Sequence, residues 1–240
     1  MKNWFIKRKK TLSPSFKSFN GLNNLSEKDL VETLTFSEEK EWEKNLPELE
    51  GKKVLFYLNA ANQHLLHKIS QKNPKAVYVL FEDGALILAN EKNIYYIRSE
   101  LKLAPLKTGF ADVLIVSLAS LYKEDALAVL EFLSPMLAHN GRMMLSVIHP
   151  FLEILLYNQN PAQQTRARYQ LQDYLRRLRE NDLYVETIKE GLIDKDLKPF
   201  LVKKQDEQIY HETSGIPLVL FLKAVKFVST VQREIQKQSA

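Results

Sequence analysis

Residues able to do chemistry gather in this sequence where apolar runs break off. The clearest break lies in Lys52–Gln63, where Val54–Leu58 gives way to Asn59-Ala60-Ala61-Asn62 and then to the helix-compatible stretch His64–Ser70. A buried strand, a tight turn and a crossover helix form the pattern of a nucleotide site in α/β folds, because the turn and the first N–H groups of the helix face the ligand. This turn contains no glycine, the residue type that lets backbone approach a ligand closely. Two further groups follow apolar runs: Tyr122 after Asp112–Ser117, and His149 after Arg142–Ile148. His149, at the end of its run, is the general-base candidate by position, and Tyr122 could line the same mouth. His64 and His67 are three apart on one helix, but no third metal ligand is identifiable, so no metal site is expected.

Several chemistries are excluded or disfavoured. The chain has no cysteine, which rules out disulfides, thiolate catalysis and cysteine-ligated metals. It has no Gly-x-x-x-x-Gly-Lys-Ser/Thr loop, no Gly-x-Gly-x-x-Gly and no nucleophile elbow, which weighs against an NTPase, an ordinary dehydrogenase and an α/β hydrolase.

The elements that must position these groups alternate. Strands are expected at Val54–Leu58, Ala76–Phe81, Asn93–Ile97, Val113–Ser117, Arg142–Ile148, Leu183–Ile188 and Pro217–Val225. Helices are expected at His64–Lys72, Ala85–Asn90, Lys123–Leu137 (stopped by Asn140-Gly141) and Pro161 to about Asn181. Such alternation argues for a mostly parallel sheet covered on both faces. Ahead of it, Ser26 is expected to cap one helix carrying Leu30, Val31 and Leu34, and Ser37 to cap a second, through Trp42 and Leu46 to Pro47. Three regions follow: an arm and helical extension at 1–50, the α/β domain at 51–228 and a tail at 229–240.

Length and composition fit that division. The chain has 240 residues, of which 45% are apolar, enough for one α/β domain with extensions. Charge is unevenly placed. Residues 1–26 hold Lys2, Lys7, Arg8, Lys9, Lys10 and Lys17 and no acid, whereas Glu27–Glu50 holds nine acids against three lysines. A basic arm suits a protein partner or an acidic surface, reached through residues 1–20. Arg166, Arg168, Arg176, Arg177 and Arg179 make the 161–181 helix basic, but Leu171, Tyr174, Leu175 and Leu178 read as its buried side and the arginines as a solvated face, so nucleic acid is disfavoured as a partner. No run is long and apolar enough to span a bilayer and no secretory signal is visible, so a cytoplasmic location is expected.

The order of pieces also resembles a family. Ser99–Asp112 runs from an acidic residue through Leu-Ala-Pro-Leu to Phe110-Ala-Asp112. Asp112-Val-Leu-Ile-Val-Ser117, Leu133-Ser-Pro-Met-Leu137 and Asn140-Gly-Arg-Met-Met-Leu-Ser146 follow, then Leu178–Ile188 and Leu218–Lys226. This succession, from about Lys52 to Lys226, resembles class I S-adenosylmethionine-dependent methyltransferases, especially the branch that includes quinone-biosynthesis enzymes.

The resemblance implies a Rossmann-like seven-stranded α/β fold and S-adenosylmethionine as cofactor. Aligned on the first strand, the family's acid falls on Phe56 and its three glycines on Leu58, Ala60 and Asn62, so the turn Leu58, Asn59, Ala60, Asn62 is where the cofactor's methionine end would lie. Glu82, or Asp83 beside it, matches the acid that holds the ribose hydroxyls. Glu100 matches the acid beside the adenine amino group, and Ser117 ends the fourth strand at the ligand edge. His149 and Tyr122 would face the substrate. Two functions are implied: a divergent methyltransferase acting on a small molecule, or a methyltransferase-fold binding subunit that has lost its cofactor.

Overall fold

The computed structural model describes residues 27–59, 62–82, 92–119, 125–157, 169–198, 210–211 and 213–227. The first element is a single helix, α1 (Glu27–Asn45). The two helices expected here are one, and Ser37 lies inside it, 2% exposed. No Gly or Pro interrupts the stretch, and Leu30, Leu34, Glu38 and Trp42, spaced four apart, form one continuous buried stripe.

The domain proper alternates β1 (Lys53–Tyr57), α2 (Gln63–Ser70), β2 (Ala76–Phe81), β3 (Ile94–Arg98), β4 (Ala111–Ser117), α3 (Ala126–Leu133), β5 (Leu137–Ile148), α4 (Pro150–Tyr157), α5 (Leu171–Glu180), β6 (Leu183–Leu192) and β7 (Pro217–Lys226). The strands form one sheet in the order β3-β2-β1-β4-β5-β7-β6. Strands β1 to β5 pair in parallel, and β7 runs antiparallel to both β5 and β6. This is the mostly parallel seven-stranded sheet expected from the sequence. The central strands carry near-continuous apolar runs because both faces are covered.

Some boundaries moved. Helix α3 stops at Leu133, where Ser134-Pro135-Met136 tightens into a 3₁₀ turn, and Leu137 already pairs with Ala111. Asn140-Gly141, expected as a helix stop, instead lies within β5, where the pairing with β4 shifts register and Asn140 takes φ 60°. His149-Pro150 opens α4, a helix the periodicity did not announce, with Pro at its tolerated first position. The expected helix at Ala85–Asn90 and the first part of the 161–181 helix lie outside the described residues.

The core has two faces. On one, Leu114, Val116, Leu130, Leu133, Leu145, Tyr174 and Leu178 pack under α3 and α5. On the other, Phe56, Leu58, Leu65, Ile69, Val79 and Phe221 pack under α2 and Trp42 of α1. Helix α1 is therefore built into the fold. Lys68 of α2 pairs with Glu39 at 2.8 Å and with Glu43, and Lys40 pairs with Asp194 and Asp196 beyond β6. Gly191 of β6 admits α1 closely: a Cβ there would stand 2.9 Å from Ser37 Oγ. Among the described residues, no helix is long and apolar enough to cross a membrane.

Candidate functional site

The parallel strands end together on one edge of the sheet, where ligands bind in open α/β folds. The turn after β1 is closed by its own asparagines. The Asn59 backbone N–H donates to Asn62 Oδ1 at 2.9 Å, and the Asn62 N–H to Asn59 Oδ1 at 3.0 Å. Both side-chain amides then donate to the Ser117 carbonyl at the end of β4, at 3.2 and 3.3 Å, and Asn62 also to the Tyr57 carbonyl at 3.0 Å. Asn62 is 1% exposed. Asparagine mimics a backbone turn through its side chain. The carbonyl that ends β4 is thus bound within the protein.

The two positions beside this turn are apolar core. Phe56, aligned with the family's acid, and Leu58, aligned with its first glycine, are buried with Trp42, Leu65 and Phe221. The Leu58 N–H continues the ladder to the Leu80 carbonyl at 2.8 Å.

Ser117 is fully buried, and its hydroxyl donates to Glu38 Oε1 at 2.6 Å. The same oxygen accepts the hydroxyl of Ser146, the partner of Ser117 across β4 and β5, and the Ala119 N–H at 3.4 Å. Trp42 Nε1 donates to Ser146 Oγ at 3.2 Å. Helix α1 therefore delivers a carboxyl group, 3% exposed as a residue, onto the carboxyl ends of the two central strands. A buried carboxyl is tolerated only when donors meet it, and here three converge on one oxygen.

Glu82 and Glu100 stand exposed after β2 and β3. Glu82 Oε1 accepts the Leu101 N–H at 2.9 Å, bracing the 3₁₀ turn Leu101–Leu103 that follows Glu100. Ala60, Asp83 and Tyr122 lie outside the described residues. His149 follows β5 and uses both ring nitrogens. Nδ1 accepts the Phe151 N–H at 3.1 Å, which caps α4, and Nε2 stands 3.2 Å from Glu190 Oε1. With Nδ1 accepting, the neutral ring carries its proton on Nε2 and donates to Glu190. Burial holds its pKa below the usual histidine range, although the Glu190 carboxylate pulls the other way.

The sign of that shift sets a pH dependence. Between the lowered folded value and the ordinary ~6.5, the unfolded chain binds the extra proton, so stability falls as pH drops through that window. A His149→Asn variant keeps an acceptor for the Phe151 N–H but does not titrate. Its melting temperature should fall less steeply than the parent's from pH 7 to 5, and parallel curves would show that His149 carries no such linkage.

Ser117 ends β4, and Leu58, Asn59 and Asn62 lie in the turn after β1; sequence reading does not find Glu38, Ser146 or Trp42 beside them. The signal was available: in a continuous helix, Glu38 falls on the apolar stripe between Leu34 and Trp42. Among the described residues, no cluster of His, Asp or Glu is arranged to hold a metal. Two of the three arginines of α5 are drawn into pairs, Arg176 with Asp173 at 2.8 Å and Arg177 with Glu131 of α3 at 3.0 Å. Tyr174 and Leu178 are buried on its other side.

No protein-family model matches the sequence, and no curated protein matches it. Solved structures do. An S-adenosylmethionine-dependent methyltransferase from Mesorhizobium loti superposes with a TM-score of 0.60 at 15% identity, over 79% of this chain and 98% of that one. The class I methyltransferase fold is this chain's fold. A Haloferax volcanii protein solved in complex with the methyltransferase activator Trm112 superposes at 0.64, with 13% identity over 88% of this chain and 98% of that one. The geranyl diphosphate C-methyltransferase of Streptomyces coelicolor gives 0.57 at 14% identity, over 78% and 77%. At these identities the likeness establishes the fold, and activity is decided by the residues at the site.

Proposed function

We propose that this chain is a methyltransferase-fold binding subunit whose cofactor turn has become a structural turn. The observation that carries the reading is the closure of the β4 end. Both asparagine amides occupy the Ser117 carbonyl, and Glu38 accepts the Ser117 hydroxyl. Phe56 supports it, because an apolar ring in the core cannot accept a hydrogen bond from the cofactor's ammonium group. Leu58 adds bulk where glycine would allow close approach. A partner suits such a subunit, and the Haloferax structural neighbour is itself held in a protein complex. Here the basic residues 1–20 are the segment that would reach a protein or another acidic surface.

The enzyme reading has its own support in Glu82 and Glu100, which stand exposed at the ends of β2 and β3 where a ribose and an adenine would lie. In that reading S-adenosylmethionine binds in a changed pose and a small molecule accepts the methyl group. Calorimetric titration with S-adenosylmethionine and S-adenosylhomocysteine separates the two. The binding-subunit reading expects no heat and no thermal stabilisation at millimolar ligand. Micromolar binding that is lost in Glu100→Ala would overturn it and restore the enzyme.

A further inference from the structure

Between α1 and α2, beside the bridge that Lys68 makes to Glu39 and Glu43, a cavity of about 550 Å³ opens to solvent. That volume is in the range of small-ligand pockets, about 300–1,000 Å³. Trp42, Leu46 and Leu65 form its apolar floor, and Glu43, Lys68 and Lys72 its rim. Helix α1, which makes one wall, is strongly acidic. It carries seven carboxylates against three lysines, and Lys40 is engaged by Asp194 and Asp196. An occupant suited to this place is uncharged and aromatic where it enters and basic where it leaves along α1. Residues 1–26, which precede α1, have that order. Trp4-Phe5-Ile6 is apolar, Lys7-Arg8-Lys9-Lys10 follows it, and no acid occurs before Glu27.

We propose that Trp4-Phe5-Ile6 fills this cavity in the same chain, with Lys7-Arg8-Lys9-Lys10 laid along the acidic side of α1. The lysine rim suits aromatic entrants, because an amine is attracted to the face of a ring. The length of chain allows the return. Twenty residues separate Ile6 from Glu27 and span up to about 66 Å when extended, whereas the 19 residues of α1 cover about 28 Å. Tethering also lowers the affinity required. A flexible linker holds its ligand at an effective concentration on the order of 1 mM, so an intrinsic dissociation constant of about 0.1 mM keeps the arm docked about ten to one. Docking narrows the acidic surface met by residues 1–20 to α1 of the same chain. It rests on the charge of that segment and not on the loss of the cofactor, so either outcome of an S-adenosylmethionine titration leaves it standing.

The chain has two tryptophans, Trp4 and Trp42, so Trp42→Phe of the full-length protein leaves Trp4 to report alone. Its emission should lie at short wavelength and resist acrylamide. Adding Leu46→Lys, which sets an amine on the cavity floor, should raise the quenching constant at least threefold. Ile188→Lys, the same kind of change at a residue 44% exposed on β6, should leave it unmoved. Reversing the arm with Lys7→Glu, Arg8→Glu, Lys9→Glu and Lys10→Glu should free Trp4 as Leu46→Lys does, and these changes decide the matter if Leu46→Lys fails to fold. With Trp42 intact, trypsin should cut after Lys7–Lys10 at least fivefold more slowly in the parent chain than in the arm's release variant Leu46→Lys. An exposed Trp4 together with a parent arm cut as fast as in Leu46→Lys overturns the proposal. So does a buried Trp4 indifferent to both Leu46→Lys and the arm reversal. Burial that grows with protein concentration places the arm in the cavity of a second copy and overturns docking within one chain.

Discussion

Trp42→Ala should cost about 3–5 kcal/mol of stability, lowering the melting temperature by about 6–20 °C for a domain of this size. The indole is 1% exposed and packs edge-to-face with Phe221, ring centroids 5.0 Å apart, in the same core as Phe56 and Leu58. Truncation removes the largest buried side chain holding α1 to the sheet and leaves a cavity among close-packed side chains of the sheet and α2, which cannot readily collapse. It also leaves Ser146 without its Trp42 donor. Trp42→Phe keeps the aromatic edge and loses the indole N–H, so about 1–2 kcal/mol is expected there. Urea unfolding followed by circular dichroism measures both. A loss below about 1 kcal/mol for Trp42→Ala would mean that α1 sits on the fold without being fastened to it.

The attachment of α1 marks where sequence reading reached and where it stopped. Ala76–Phe81 was legible to the residue, because a six-residue apolar run bounded by polar residues has few other homes in an alternating chain. The succession of seven strands along the chain followed from the same signal. Helix α1 was divided because Ser37 resembles a cap, and a cap residue inside a helix differs from one at its start only in tertiary contacts. Helix α4 was missed because His149-Pro150 reads as the end of a strand, whereas proline is also at home at the start of a helix. At the candidate site the positions were legible and their partners were not. Ser117, Asn59 and Asn62 lie where a strand-end argument puts them. Glu38, which meets Ser117 and Ser146, is 79 and 108 residues away along the chain, and no local pattern encodes such a contact.

That contact supports the second large effect. Glu38→Ala should destabilise the protein by about 3 kcal/mol, because it leaves the Ser117 and Ser146 hydroxyls and the Ala119 N–H without their acceptor in a region closed to water, at about 1–3 kcal/mol for each group left unsatisfied and some relief from hydroxyl rotation. Glu38→Gln retains one acceptor oxygen and the side-chain volume, and should lose roughly half as much. Because the cost arises from stranded partners, it should be less than additive with their removal. Glu38→Ala combined with Ser117→Ala and Ser146→Ala should recover on the order of 1 kcal/mol relative to the sum of the separate changes. Strict additivity would mean that the three residues are neighbours without being a network. The same variants bear on function. If Glu38 alone closed the ligand edge, Glu38→Ala would gain affinity for S-adenosylmethionine. The asparagine pair on the Ser117 carbonyl and the Phe56 ring in the core stand independently of Glu38, so the variant should lose stability and gain no cofactor binding.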